Sequence, residues 1–233
     1  MDEKRKNKIK NDKLPSKDDL IVDYIKDQLE EKMQASAMDI NVFCKDGFVH
    51  MYEMVDVLAE KKLADEIAKN IDGVRNLESK ITIAMDSNIT DKHMEREVFN
   101  RLSAAAHSED LVGVGVKVHA GVANLVGVTD NLFQAHEAMD LASQVRGIKD
   151  VVNNIQVSTA GEYDDVVINS KITQALSQVD ISYQDIAHSV KSGLVTLNGY
   201  VDDRHQMEIA KEISMGVDGV RKVINRIKIR KNR

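Results

Sequence analysis

The sequence predicts an α+β protein of three tandem αββαβ domains, each a three-stranded mixed sheet with two helices on one face. Three observations carry this. Gly47 and Gly73, Gly121 and Gly147, and Gly193 and Gly219 form pairs, each 26 residues apart. The text around them recurs as AKNIDGVRNLESKITI, ASQVRGIKDVVNNIQV and ISMGVDGVRKVINRIKI, at offsets of 74 and then 72 residues. Within every copy, apolar residues are spaced first for a helix and then alternate as in strands. The copies span 15–84, 88–158 and 163–230, behind a basic tail, 1–14. Units this small bury only about 60% of their unfolded surface, so each is expected to lean on a neighbour.

The first helix of copy one starts at a Ser16 cap and places Leu20, Ile21, Tyr24, Ile25, Gln28 and Leu29 on one face. Met94, Val98, Leu102 and Ala105 do the same in copy two, and Ile168, Ile172, Ala175, Leu176 and Val179 in copy three. Strand one alternates as Ile40, Val42, Cys44; Val114, Val116, Val118; and Ile186, His188, Val190. Asp46-Gly47, Ala120-Gly121 and Ser192-Gly193 then turn the chain into strand two, where glycine supplies a positive φ. The second helix carries Ala64, Ile67, Ala68, Ile71; Ala138, Leu141, Ala142, Val145; and Ala210, Ile213, Ser214, Val217. Its small residues let it lie close on the sheet. Gly73, Gly147 and Gly219 are expected to end it as left-handed caps. A last alternating strand completes each copy.

SGLVTLNGYV, a helix with Ala-Lys-Glu-Ile, and VDGVRKVINRIKI together resemble the BON domain, the bacterial OsmY and nodulation module. Copy three has both glycines of that pattern, Gly193 and Gly199, and copy two has Gly121 and Gly127. Copy one has Glu53 in place of the second, so its strand two need not bend the same way. The resemblance implies a non-enzymatic, envelope- or stress-associated bacterial module, OsmY-like and linked to osmotic stress. It also implies attachment to phospholipid surfaces, with small-ligand or ion sensing through domain closure as the alternative. It carries no catalytic residue and no cofactor.

Net charge is −6 and there is one cysteine, which excludes an intrachain disulfide framework and fits a reducing compartment. The start of the chain is charged without an apolar stretch behind it, so no signal peptide is read and a cytoplasmic place is expected, with membrane association open. A longer N-terminus would change that to the periplasm. No window reaches the 18 or so apolar residues of a spanning helix. No two of the seven histidines have the spacing of a helical metal pair. His188 and Cys44 lie in the inward register, as a satisfied semi-buried histidine and a core thiol. Asp164, Asp165, Asp202 and Asp203 read as caps and turn residues.

The outward sheet faces differ between copies. Copy one has Phe48, His50, Tyr52 and Met54, and copy two has Val122, Asn124, Val126 and Val128 joined by Val152. Packing of these two faces on each other is expected, with an external partner as the alternative. Copy three has Leu194, Thr196, Asn198 and Tyr200 beside Lys222, Arg226, Lys228 and Arg230. From Gly219 onward there are seven basic residues and no acid. Lys222, Arg226, Lys228 and Arg230 are therefore the candidate contacts for anionic phospholipid or a protein partner, extended by Lys231, Arg233 and the basic tail. A solvated, charged strand edge is the plain alternative. Nucleic acid is disfavoured, because Tyr200 is the single outward aromatic of that copy and provides no stacking platform. Oligomeric state is not legible.

Overall fold

A computed structural model describes residues 15–33, 40–84, 88–105, 108–158, 163–179, 181 and 185–230. The basic tail 1–14, Lys231 and Arg233 lie outside the described residues. Copy one runs α1 (Lys17–Met33), β1 (Asn41–Lys45), β2 (Phe48–Val55), α2 (Leu58–Asn70) and β3 (Asn76–Ile83). Copy two follows as α3 (Asp91–Ala104), a short 3-10 turn at Ser108–Leu111, β4 (Val114–His119), β5 (Val122–Thr129), α4 (Leu132–Ser143) and β6 (Asp150–Val157). Copy three is α5 (Asp165–Ser177), β7 (Ile186–Lys191), β8 (Leu194–Val201), α6 (Arg204–Met215) and β9 (Lys222–Ile229). Each sheet joins an antiparallel hairpin to a parallel third strand, with the second strand in the centre. The parallel pairing needs a crossover, which α2, α4 and α6 supply.

The helices form where the sequence places caps. Ser16 and Asp19 exchange bonds at the start of α1, the Asp19 amide donating to Ser16 Oγ at 3.1 Å and the Ser16 amide to Asp19 Oδ2 at 2.9 Å. Thr90, Asn131, Asp164 and Asp203 cap α3, α4, α5 and α6 by accepting an amide three residues on. Ile21, Ile25 and Leu29 of α1 are buried with Val49, Met51 and Ile81 of the sheet, and Ile168, Ile172 and Leu176 repeat this against Val195, Leu197 and Ile227. Ala64, Ala68, Ala138, Ala142, Ala210 and Ser214 are fully buried, so the second helix does lie close on its sheet. Truncating a central-strand residue such as Leu125 or Leu197 to alanine is expected to cost about 2–5 kcal/mol.

The paired glycines meet each other. The helices end at Asn70, Ser143 and Met215, ahead of Gly73, Gly147 and Gly219, so these glycines are not the helix caps the sequence suggests. They lie in a second turn that feeds the last strand. A Cβ on Gly47 would sit 2.7 Å from the Gly73 carbonyl oxygen, and one on Gly193 would sit 2.6 Å from that of Gly219. Both glycines also hold positive φ, so spatial approach and backbone conformation demand the same residue. A carboxylate ties the first helix to this end. The Asp46 and Gly47 amides donate to Asp18 at 2.7 and 3.0 Å, Ala120 and Gly121 to Asp91 at 2.8 and 3.0 Å, and Ser192 and Gly193 to Asp165 at 2.8 and 3.0 Å. Those bonds pull all three aspartates below the usual carboxylate range. Asp165 therefore closes a hairpin rather than simply capping its helix.

Strand two of copy one bends like the others, against expectation. Glu53 adopts φ +146°, alongside +142° at Gly127 and +127° at Gly199. Only the ladder differs. In copies two and three the glycine pairs with Val114 and Ile186, whereas copy one's ladder stops one step short, at Asn41 opposite Tyr52. A Cβ on Gly127 would lie 2.0 Å from the Gly113 carbonyl oxygen and one on Gly199 would lie 1.9 Å from that of Asp185. Glu53 carries such a Cβ, which accounts for the lost pair.

The chain divides into two compact units, Met1–Ala84 and Met85–Arg233. Within the second, copies two and three are joined by polar bonds around the start of α4. Asn131 Nδ2 donates to Asp218 Oδ1 at 3.2 Å, and the Gly219 amide donates to the Asp130 carbonyl at 3.0 Å. Leu132 of copy two packs on the core of copy three.

Candidate surface-binding site

Because strand side chains alternate, Lys222, Ile224, Arg226 and Lys228 leave β9 on the face away from α5 and α6. The parallel register sets them beside Leu194, Thr196, Asn198 and Tyr200 of β8. On the far side of β8, the hairpin register brings Lys191 of β7 next to Leu194, one row from Lys222. Lys191, Lys222, Arg226 and Lys228 are all exposed and have no ion-pair partner among the described residues. The structure thus adds Lys191 to the cluster. Its signal was present in the strand alternation, as the residue just before the Ser192-Gly193 turn, but it lies 31 positions from Lys222 in the chain.

Arg230 is placed differently from its neighbours. Its guanidinium bonds Asp202 at 2.7 Å and also pairs with Asp185. Those carboxylates, Asp202 first, hold it firmly protonated and neutralise it locally. It closes the end of the sheet, tying the residue just before β7 and the turn after β8 to the end of β9.

The repeat makes the other copies internal controls. The outward residues of β3 are Asn76, Glu78, Lys80 and Thr82, and Glu78 bonds Lys80 at 3.0 Å and His50 at 2.8 Å. Those of β6 are Asp150, Val152, Asn154 and Gln156. Counting charges on the equivalent edge gives none net in copy one (Glu78 against Lys80), one negative in copy two (Asp150), and three positive in copy three (Lys222, Arg226, Lys228). The apolar faces anticipated from the sequence are present. Phe43, Phe48, Tyr52 and Met54 are exposed in copy one, and Val126, Val128 and Val152 in copy two.

His188 is satisfied and half-buried, its Nε2 lying 3.2 Å from Thr173 Oγ1 and 3.3 Å from the Asn169 carbonyl. Cys44 is buried, and that burial, followed by the Asp18 carboxylate 3.4 Å away, pushes its thiol pKa up, which makes it a poor nucleophile. Among the described residues no group of three or more His, Cys, Asp or Glu side chains could hold a metal, and no helix is long and apolar enough to cross a membrane.

Comparison with known proteins agrees with this architecture. The sequence model of the BON domain matches residues 17–85, 90–159 and 164–231. Osmotically-inducible protein Y of Escherichia coli is 31% identical over 122 residues, which cover 49% of this chain and 61% of that protein, less than two thirds of its length. A 21 kDa hemolysin of Actinobacillus pleuropneumoniae is 25% identical over 141 residues, covering 58% of this chain and 72% of that protein. Among solved structures, the C-terminal domain of CdsD, a structural protein of the type III secretion system of Chlamydia trachomatis, is 15% identical. The alignment covers 87% of this chain and 96% of that one, with a TM-score of 0.26. A likeness at that level says nothing about what this chain does.

Proposed function

The chain belongs to the BON domain family in three tandem copies, and from that premise we propose that it is a non-enzymatic module attaching peripherally to an anionic phospholipid surface through its third copy. One observation supports this above the others. On a third strand whose outward face is neutral or acidic in the sister copies, Lys222, Arg226 and Lys228 share the face of Lys191 and have no ion-pair partner among the described residues. Each basic residue near an anionic leaflet contributes roughly 1 kcal/mol, so four of them reach about 4 kcal/mol, a reversible attachment. The attraction weakens as salt shortens the screening length below about 8 Å. The acidic balance of the whole chain orients this edge toward the surface. The similarity to osmotically-inducible protein Y supports a role under osmotic stress.

Co-sedimentation with vesicles rich in phosphatidylglycerol, at low and high salt, tests the proposal. The native chain should pellet at low salt and be released at high salt, and Lys222→Glu with Arg226→Glu and Lys228→Glu should not pellet. Equal pelleting of both chains, or of neither, would leave the stripe as a solvated edge.

A second reading, a small-ligand sensor responding through domain closure, is favoured by the junction of copies two and three. There α4 and α6 border a cavity of about 390 Å³ walled by Phe133, Leu141 and Met215. Thermal shifts in the presence of potassium, sodium, calcium and common nucleotides, without lipid, test it. A flat response removes it.

A further inference from the structure

The cations of copy three share their face with apolar side chains. The strand register sets one such residue at each end of the central strand β8. Leu194 lies opposite Lys191 of β7 on one side and Lys222 of β9 on the other, and Tyr200 lies opposite Lys228. Tyr200 follows Leu194 by six positions, which at about 3.3 Å per residue puts them roughly 20 Å apart, with Arg226 beside Asn198 between them. Leu194 is half-buried, as is Ile224 beside Thr196, whereas Tyr200 is 53% exposed.

The sister copies hold the same two positions apolar without that charge. In copy one Phe48 lies between Lys45 and Asn76, and Met54 beside Thr82. In copy two Val122 lies between His119 and Asp150, and Val128 beside Gln156. Neither copy flanks both positions with Lys or Arg. The residue type differs too. Tyrosine has an apolar ring and a polar hydroxyl, which suits it to the depth where water meets hydrocarbon. Lysine and arginine suit the same depth, laying their stems along apolar surface while their heads reach phosphates. A soluble polyanion would engage the cations and leave the Tyr200 ring in water, whereas a bilayer engages both.

Building on the attachment put forward above, we propose that the outward sheet face of copy three meets a phospholipid bilayer with Tyr200 inserted at the level of the headgroups and Leu194 as a second, shallower contact. The boundary of the acyl chains takes up the ring while the phosphates meet Lys191, Lys222, Arg226 and Lys228. Removing about 40 Å² of ring surface from water strengthens binding about fivefold, less than the four cations supply, so salt still releases the protein. Arg230 takes no part, because Asp202 and Asp185 hold its guanidinium.

The chain contains no tryptophan, so Tyr200→Trp in the full chain introduces a single indole at this point. On vesicles rich in phosphatidylglycerol at low salt, its emission should shift to the blue and be quenched by lipids brominated near the top of the acyl chains. Val128→Trp, at the matching exposed position of copy two, should keep its aqueous emission, and inorganic polyphosphate should leave the Tyr200→Trp emission unshifted. Tyr200→Ser should still pellet in a salt-dependent way but need about fivefold more lipid for the same bound fraction. If the native chain pellets and salt releases it, while the Tyr200→Trp indole stays unquenched and Tyr200→Ser pellets at native lipid concentrations, insertion is overturned and electrostatic attachment stands. A native chain that does not pellet overturns both. Equal quenching in Val128→Trp would overturn the assignment to copy three, and an equal blue shift with polyphosphate would overturn the bilayer as the occupant.

Discussion

Glu53 holds φ +146° at a position where both sister copies use glycine, and Glu53→Gly removes that strain. A non-glycine residue in such a conformation costs about 1–3 kcal/mol. Against this, glycine loses roughly 0.5–1 kcal/mol more backbone entropy on folding. The exposed bond from Asn41 Nδ2 to Glu53 Oε2, 3.1 Å long, is also lost, at about 0.5 kcal/mol. The balance is a gain of about 1 kcal/mol for copy one, with the ladder free to extend by the pair present in copies two and three. Hydrogen exchange followed by mass spectrometry reads this directly, since 1 kcal/mol slows exchange of the β2 amides about fivefold where they open with the whole unit. Gly199→Ala is the converse test. Its Cβ would lie 1.9 Å from the Asp185 carbonyl oxygen, so copy three should lose about 2 kcal/mol or more. Unchanged or faster exchange in Glu53→Gly would refute the claim that strain is stored at this position.

Asp18, Asp91 and Asp165 have pKa values below the unfolded value of about 3.9, so their stabilisation is complete above it and is lost as pH falls through the folded values. Acid titration of folding should steepen below that point, and Asp165→Asn should flatten the copy three component. Asn131→Ala removes the α4 cap and the bond to Asp218 together, which should cost about 1–2 kcal/mol and split the unfolding of copies two and three in calorimetry. A single unsplit transition would show that Leu132 and backbone contacts suffice. Arg230→Ala should leave vesicle binding nearly intact while destabilising copy three, whereas Lys228→Glu should do the reverse; equal effects on pelleting would contradict the pairing of Arg230 with Asp185 and Asp202.

The strand alternation, the helix faces and the caps at Ser16, Asp164 and Asp203 were legible because each depends on residues within one turn or one strand of each other. The partners of the glycines were not, since Gly47 touching Gly73 is a tertiary contact that a spacing of 26 residues only hints at. The same limit hid the Asp18, Asp91 and Asp165 bonds to the hairpin turns, which span 27 to 30 residues. In the basic stripe, alternation correctly placed Lys222, Arg226 and Lys228 on one face. It could not foresee that Asp185 and Asp202 claim Arg230, because neither lies on its strand. Glu53 misled in a more instructive way. Its poor propensity for positive φ was read as freedom from the bend, whereas the rest of the sheet imposes the bend and the residue absorbs the cost.

The knot of two glycine turns and one aspartate at the end of each copy has a consequence for how such a chain can change over time. Every contact in that knot is made by backbone or by a residue at the sheet's end, so none involves the outward side chains of the three strands. Those side chains can therefore vary almost without reference to folding. Duplicated copies can drift into an aromatic face, a valine face and a basic face while keeping one backbone. Transplanting Lys191, Lys222, Arg226 and Lys228 onto His119, Asp150, Asn154 and Gln156 should thus yield a folded second copy carrying the surface of the third. A tandem array of this kind works as a set of interchangeable plates, each able to acquire a new surface while its neighbours keep theirs.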